Sequence, residues 1–147
     1  MKRFFTMFLS LSLCFDAAAQ VSLDEVVGRL PYNRIVAEFS CKYDTGTATL
    51  SYKGSVTAQD DCFHSDINGV ESYCNGEKVV LLDRESKEAY IEKAYGLEEY
   101  LKSNMKNISG LQFHQLRFLE KSEDMSAFET DIRALGSDWV ITDLRQE

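Results

Sequence analysis

The chain has 147 residues, 44% of them hydrophobic and 27% charged, with 24 acidic against 16 basic side chains and a net charge of −8. Phosphate neutralisation needs a basic patch, and none is visible, so nucleic acid is excluded as the expected partner. The length suits one domain with one core.

The first residues read as a targeting segment. Lys2 and Arg3 precede an apolar stretch from Phe4 to Phe15, and Ala17-Ala18-Ala19 offers a cleavage site before Gln20. A membrane-spanning helix needs roughly 18–20 apolar residues, more than this stretch supplies. Leu13 stands where a lipid-modified Cys14 would want a small residue. Residues 1–19 are therefore expected to be a cleaved secretory signal peptide, and residues 20–147 a single domain in a compartment where disulfides can form. Cleavage removes Lys2, Arg3 and Asp16 and leaves the mature chain one charge more acidic.

A helix should follow at once. Ser22 with Glu25 makes a capping box, Val21 and Val26 a hydrophobic staple, and Leu23, Val26, Val27 and Leu30 recur at helical spacing until Pro31. The period then switches to two. Strands are expected at Arg34–Tyr43, with Phe39, Cys41 and Tyr43 on one face, and at Thr47–Lys53, with Ala48, Leu50 and Tyr52 on one face. Four more are expected at Cys62–Asp66, Val70–Cys74, Lys78–Asp83 and Glu88–Lys93, where Asn68-Gly69 and Asn75-Gly76 are strong hairpin signals. Six strands joined by short turns make a meander, and a long meander must curl.

A second helical stripe, Leu97, Tyr100, Leu101, Met105 and Ile108, interrupts the strands and would lie across the sheet. Strands resume at Gln112–Glu120, Phe128–Ile132 and Trp139–Leu144. Alternation and helical period put Phe39, Tyr43, Leu50, Tyr52, Leu97, Leu101 and Met105 on one side of their elements, which makes them the candidate lining of an apolar cavity. Alternation alone leaves the choice of inner face open.

The cysteines raise a question of register. A three-residue loop Ile67-Asn68-Gly69 would set Cys62 opposite Cys74, whereas a two-residue turn would set Asp66 against Glu71, like charge facing like. The first arrangement is the expectation, and it makes Cys62–Cys74 a candidate disulfide with Cys41 an odd thiol. The alternative is that all three are small buried hydrophobes. The same register would bring His64 to the face of Cys62 and Cys74, but the spacing matches no standard zinc pattern. His114 reads as a strand histidine, Asp60, Asp61, Asp83 and Glu85 border turns, and no phosphate loop, G-x-S-x-G or H-E-x-x-H is present. No catalytic residue, metal or cofactor is expected.

The stretch Gly69 to Glu92 (GVESYCNGEKVVLLDRESKEAYIE) and the run Phe128 to Arg145 (FETDIRALGSDWVITDLR) together resemble the LolA-like family of periplasmic outer-membrane lipoprotein carriers. In that family a strand, an Asp/Asn-Gly turn and a strand precede the next hairpin, and a Phe-led strand leads to a closing Val/Asp/Arg segment. The resemblance implies a mainly β, α+β fold: a curved antiparallel sheet forming an incomplete barrel, covered by an N-terminal and a mid-chain helix. It implies a periplasmic carrier whose apolar concavity holds the acyl chains of a lipoprotein or lipid on the way from an inner-membrane exporter to an outer-membrane acceptor. The alternative is a periplasmic sensor or regulator of the same fold that binds a lipoprotein or protein partner. Two departures bear on the carrier reading. Lys53-Gly54-Ser55 stands where the family has Lys-Arg-Pro, and Val79 or Val80 where it has a tryptophan.

Overall fold

The computed structural model describes residues 21–94, 96, 97, 99 and 105–145. The expected signal peptide, residues 1–19, lies outside them. Helix α1 spans Leu23–Arg29, and Ser22 caps it by accepting a hydrogen bond from the Glu25 N–H at 3.3 Å. Its apolar stripe buries Val26, while Leu30 is buried just beyond its end. The chain turns at Pro31, where the Tyr32 N–H donates to the Arg29 carbonyl.

Eight strands form one sheet: β1 (Asn33–Asp44), β2 (Thr49–Gln59), β3 (Cys62–Ile67), β4 (Val70–Cys74), β5 (Lys78–Asp83), β6 (Glu88–Lys93), β7 (Ile108–Glu120) and β8 (Val140–Asp143). Their order is β7-β1-β2-β3-β4-β5-β6-β8. All neighbours are antiparallel except β6 and β8, which run parallel. The protein is mainly β with a short N-terminal helix, and the sheet is neither closed nor strongly curled. The expected curl into an incomplete barrel does not develop, and β7 and β8 stand as the two edges of one open sheet.

Further sequence expectations need correction, and Ile108, expected on the second helical stripe, instead opens β7, four residues before Gln112. β2 runs six residues past Lys53, because Val56 and Ala58 continue the apolar alternation down to the turn at Asp60. Phe128–Ile132 is not a strand: Ser126–Phe128 and Ile132–Ala134 are single 3-10 turns, the second capped by Asp131, whose carboxylate accepts the Arg133 N–H. Phe128 is instead a buried anchor, 1% exposed, with the Arg34 guanidinium over its ring. Of the mid-chain helix, Leu97 and Glu99 have helical backbone and Met105–Asn107 forms a 3-10 turn. Residues 98 and 100–104, including Tyr100 and Leu101, fall outside the described residues.

The register is corrected as well. Ile67 pairs with Val70, Asp66 with Glu71, His64 with Tyr73 and Phe63 with Cys74, so Asn68-Gly69 is a two-residue turn. Both turn residues have positive φ, 52° and 86°, as a type I′ hairpin requires. The facing carboxylates are tolerated because each has its own partner. Asp66 accepts the Gly69 N–H at 3.0 Å, and Glu71 accepts from Arg84 Nε at 2.7 Å and from the Tyr73 hydroxyl at 3.3 Å. The second Asn-Gly plays a different part. Asn75 and Lys78 flank the turn, Gly76 takes the first central position with φ 92°, and the Asn75 side-chain oxygen accepts the N–H groups of Glu77 and Lys78.

This register sorts the side chains onto two faces. The first carries Ile35, Ala37, Ala58, Phe63, Cys74, Val79 and Phe113 against Val26 and Leu30 of the α1 region and Leu97. The second carries Val80, Leu82, Ala89 and Ile91 under Ile132, Leu135 and Trp139 of the C-terminal segment. A buried side chain fastens that segment: Gln59 accepts from Arg34 Nε and the Ser122 N–H, and donates to the Ser122 carbonyl.

Gly69 and Gly76 hold left-handed backbone that a β-branched residue resists. Gly69→Val and Gly76→Val should each destabilise the protein by about 1 kcal/mol or more. Denaturant midpoints equal to wild type would contradict the turn assignments.

Candidate functional site

On the first face, α1 does not close fully onto the sheet. Between them lies an apolar cavity of about 190 Å³. Its roof is Leu23, Val26, Val27 and Leu30, with Leu97 beside them. Its floor is built strand by strand: Phe39 and Cys41 of β1, Val56 and Ala58 of β2, Phe63 and Ile67 of β3 and Phe113 of β7. Ser65 is the one polar side chain among the lining residues. The wall at the β7 edge owes its shape to two irregularities in the β1–β7 pairing, at each of which β7 holds a positive-φ residue, Gly110 and Gln115. Counted from Phe113, the first turns Ile108 onto the cavity wall, and the second turns Leu116 onto the same face.

Of the residues expected around a cavity, Phe39 and Leu97 line this one. Tyr43, Leu50 and Tyr52 share its face through the pairs Tyr43–Leu50 and Cys41–Tyr52, but they lie beyond its end. The rings of Tyr43 and Tyr52 meet edge-on at 5.9 Å, and Leu50 is exposed. Leu101 and the Met105 side chain lie outside the described residues. Sequence reading missed Val56, Ala58, Phe63 and Phe113. The first two carried a legible signal, since apolar residues alternate through Ser55–Gln59.

The three cysteines among the described residues, Cys41, Cys62 and Cys74, are free, buried thiols. The observed register separates the proposed pair: Cys74 shares the first face with Phe63, its direct partner, while Cys62 and His64 belong to the second. Burial pushes all three thiols above their ordinary range, and for Cys62 the nearby Cys74, Asp60 and Asp61 add to the effect. His64 stacks on Tyr73 with ring centroids 4.2 Å apart, and its Nε2 stands 3.8 Å from a Glu71 oxygen. No group of three His, Cys, Asp or Glu side chains arranged to hold a metal ion occurs among the described residues.

The second face presents a wide polar groove over β1–β3, about 630 Å³, lined by Glu38, Ser40, Lys53, Ser55, Asp66 and His114 among others. Ser40 Oγ and His114 Nε2 hydrogen-bond across strands at 3.0 Å, exposed to solvent. No carboxylate among the described residues hydrogen-bonds the other imidazole nitrogen of His114, so the pair lacks the third group that orients a catalytic base. No protein-family model matches this chain, and no curated protein matches its sequence.

Thiols that are both buried and held protonated react slowly, because the thiolate is the nucleophile. Cys41, Cys62 and Cys74 should resist alkylation by iodoacetamide at neutral pH in the native protein and all react on unfolding. Mass spectrometry reads the count. Rapid native labelling of Cys74, 0% exposed, would contradict the packing described.

Proposed function

We propose that this protein is a periplasmic carrier that encloses the acyl chain of a lipoprotein or lipid between α1 and the first face of the sheet. The single observation that carries the proposal is the cavity, apolar on every side except at Ser65 and roofed by a helix of only seven residues. A helix that short has little stability of its own and is held by its packing. It can therefore lift as a unit without loss of the sheet beneath. In this reading the open sheet, α1 and Leu97 together do the work of an incomplete barrel.

Size sets a condition on the reading. Ligand pockets usually measure roughly 300–1,000 Å³, and an apolar cavity of about 150 Å³ takes a guest the size of benzene. The 190 Å³ chamber holds part of an acyl chain in the closed form, and loading requires the roof to move outward. Each enclosed methylene contributes about 0.8 kcal/mol, so a chain of about sixteen carbons gains on the order of 10 kcal/mol when fully covered. Such transfer needs no nucleophile and no cofactor. The cargo would come from an inner-membrane exporter and pass to an outer-membrane acceptor.

One observation favours a second reading, a sensor or regulator that binds a protein partner. β8 pairs with β6 on one side alone, and Val140 and Ile141 are 60% and 45% exposed. An open edge with apolar side chains can accept another strand.

The carrier reading predicts saturable binding of a fluorescent acyl probe. Val27, half-buried in the roof, is the variant of choice: Val27→Glu should abolish binding by placing a charge in the chamber while circular dichroism stays that of wild type. Absence of saturable wild-type binding across several acylated ligands would overturn the carrier reading and leave the partner-binding one.

A further inference from the structure

Four positions lie in one row across the first face. Phe113 of β7 pairs with Phe39 of β1, Phe39 with Gly54 of β2, and Gly54 with Ile67 of β3. Gly54 has no side chain, and its neighbours fill the gap: a Cβ placed there would stand 2.7 Å from the Asp66 carbonyl oxygen, 2.8 Å from Phe39 Cζ and 3.1 Å from Ile67 Cγ1. Phe39 therefore leans across β2 until the tip of its ring lies over Gly54 and close to Ile67. An aromatic ring seated on a strand glycine covers backbone that would otherwise be bare, and the seat fixes the direction of the ring. Phe113, Phe39 and Ile67 thus make an apolar bar across the sheet, and all three line the cavity.

The bar divides the face. On the α1 side lie the closed rows, Ala37 opposite Val56 and Ile35 opposite Ala58, where Ile35 and Ala37 are each 1% exposed. On the other side the cavity reaches only to Cys41 and Ile108. Beyond them the face opens through the half-buried Tyr43 and Tyr52 to the exposed Leu50. We propose that Phe39, seated on Gly54, determines the length of apolar chain this protein encloses, by separating the chamber under α1 from the open end at Tyr43 and Tyr52. The inference rests on the reading of the cavity as an acyl site and adds to it a residue that sets chain-length preference. With the ring in place, the tip of a linear chain fills the chamber and the remainder runs out over Phe39 into partial contact with water. Without the ring, the cavity gains the space the ring fills over Gly54, and more of the chain is enclosed before it reaches the open end.

Affinity against chain length tests this, because each newly enclosed methylene raises affinity about fourfold and each exposed one adds little. Saturated fatty acids from about six to about fourteen carbons, kept below micelle-forming concentrations, would be titrated against the mature protein by calorimetry. Wild type should gain affinity steeply with length and then level off. In Phe39→Ala the break should move to chains longer by several carbons, and in Phe39→Leu by fewer. Phe39→Leu keeps the test decisive if Phe39→Ala does not fold. A break at the same length in a folded Phe39 variant and in wild type would overturn the role of Phe39 and leave the acyl site standing. No length-dependent binding in wild type would overturn the acyl site, and the role of Phe39 with it.

Discussion

A one-residue slip at the β3–β4 turn would exchange the two faces of β4, β5 and β6, because strand side chains alternate. The rest of the molecule depends on that slip being prevented. Asn68 and Gly69 both hold left-handed backbone, which fits a two-residue loop, and the turn is tied to a third strand as well. Asn68 donates its N–H to the Lys53 carbonyl at 3.2 Å and accepts the Lys53 N–H on its side-chain oxygen at 3.3 Å. With the register fixed, Cys74, Val79 and Leu81 join the core beneath α1, while Tyr73, Val80 and Leu82 turn towards the C-terminal segment.

The two faces are then closed in different ways. Over β4–β6 the second is covered by chain: the segment after β7 is clamped by Arg34 and Gln59, anchored by Phe128, and continues through Ile132, Leu135 and Trp139 into β8. Lys87 and Asp138 pair beside the start of β8, and Asp143 at its end is held down to about 2 by the Arg145 guanidinium. Among the described residues, the first face is covered by the packing of a short helix with Leu97 beside it. Small residues, Ala37 and Ala58, stand beneath it while larger ones, Phe39, Phe63 and Phe113, stand around them, so the sheet surface is lower under the roof than at its sides. That difference in side-chain size leaves the chamber.

Much of the architecture was legible because local signals agreed with one another. The capping serine, the proline stop, the period-two strands and the glycine turns each pointed to the element that forms. Where sequence reading failed, a tertiary contact decided. Asp66 and Glu71 look repulsive as a pair, but the Gly69 N–H satisfies Asp66, and the Tyr73 hydroxyl and Arg84, from the next hairpin, satisfy Glu71. Phe128 reads as the head of a strand, yet it packs as an anchor because Arg34 covers its ring. Strand β8 joins in parallel beside β6, a pairing that no short-range pattern encodes. For the site, alternation placed Phe39 on the right face and the helical stripe brought in Leu97. It gave no means of knowing that Tyr43, Leu50 and Tyr52, on the same face, would lie past the end of the roof.

In the proposed carrier reading, an apolar, indented sheet face covered by a seven-residue helix would enclose the chain, and lifting of that helix would release it. The central claim is that the space beneath α1 is occupied in the cell by an acylated molecule. The most direct measurement is mass spectrometry of an organic extract of the protein, purified from its own cells without detergent. The account predicts acyl-bearing species in near-stoichiometric amount, displaced when Val27→Glu is purified in the same way. A wild-type protein that is folded and carries no acylated molecule above the level of the Val27→Glu control would contradict it.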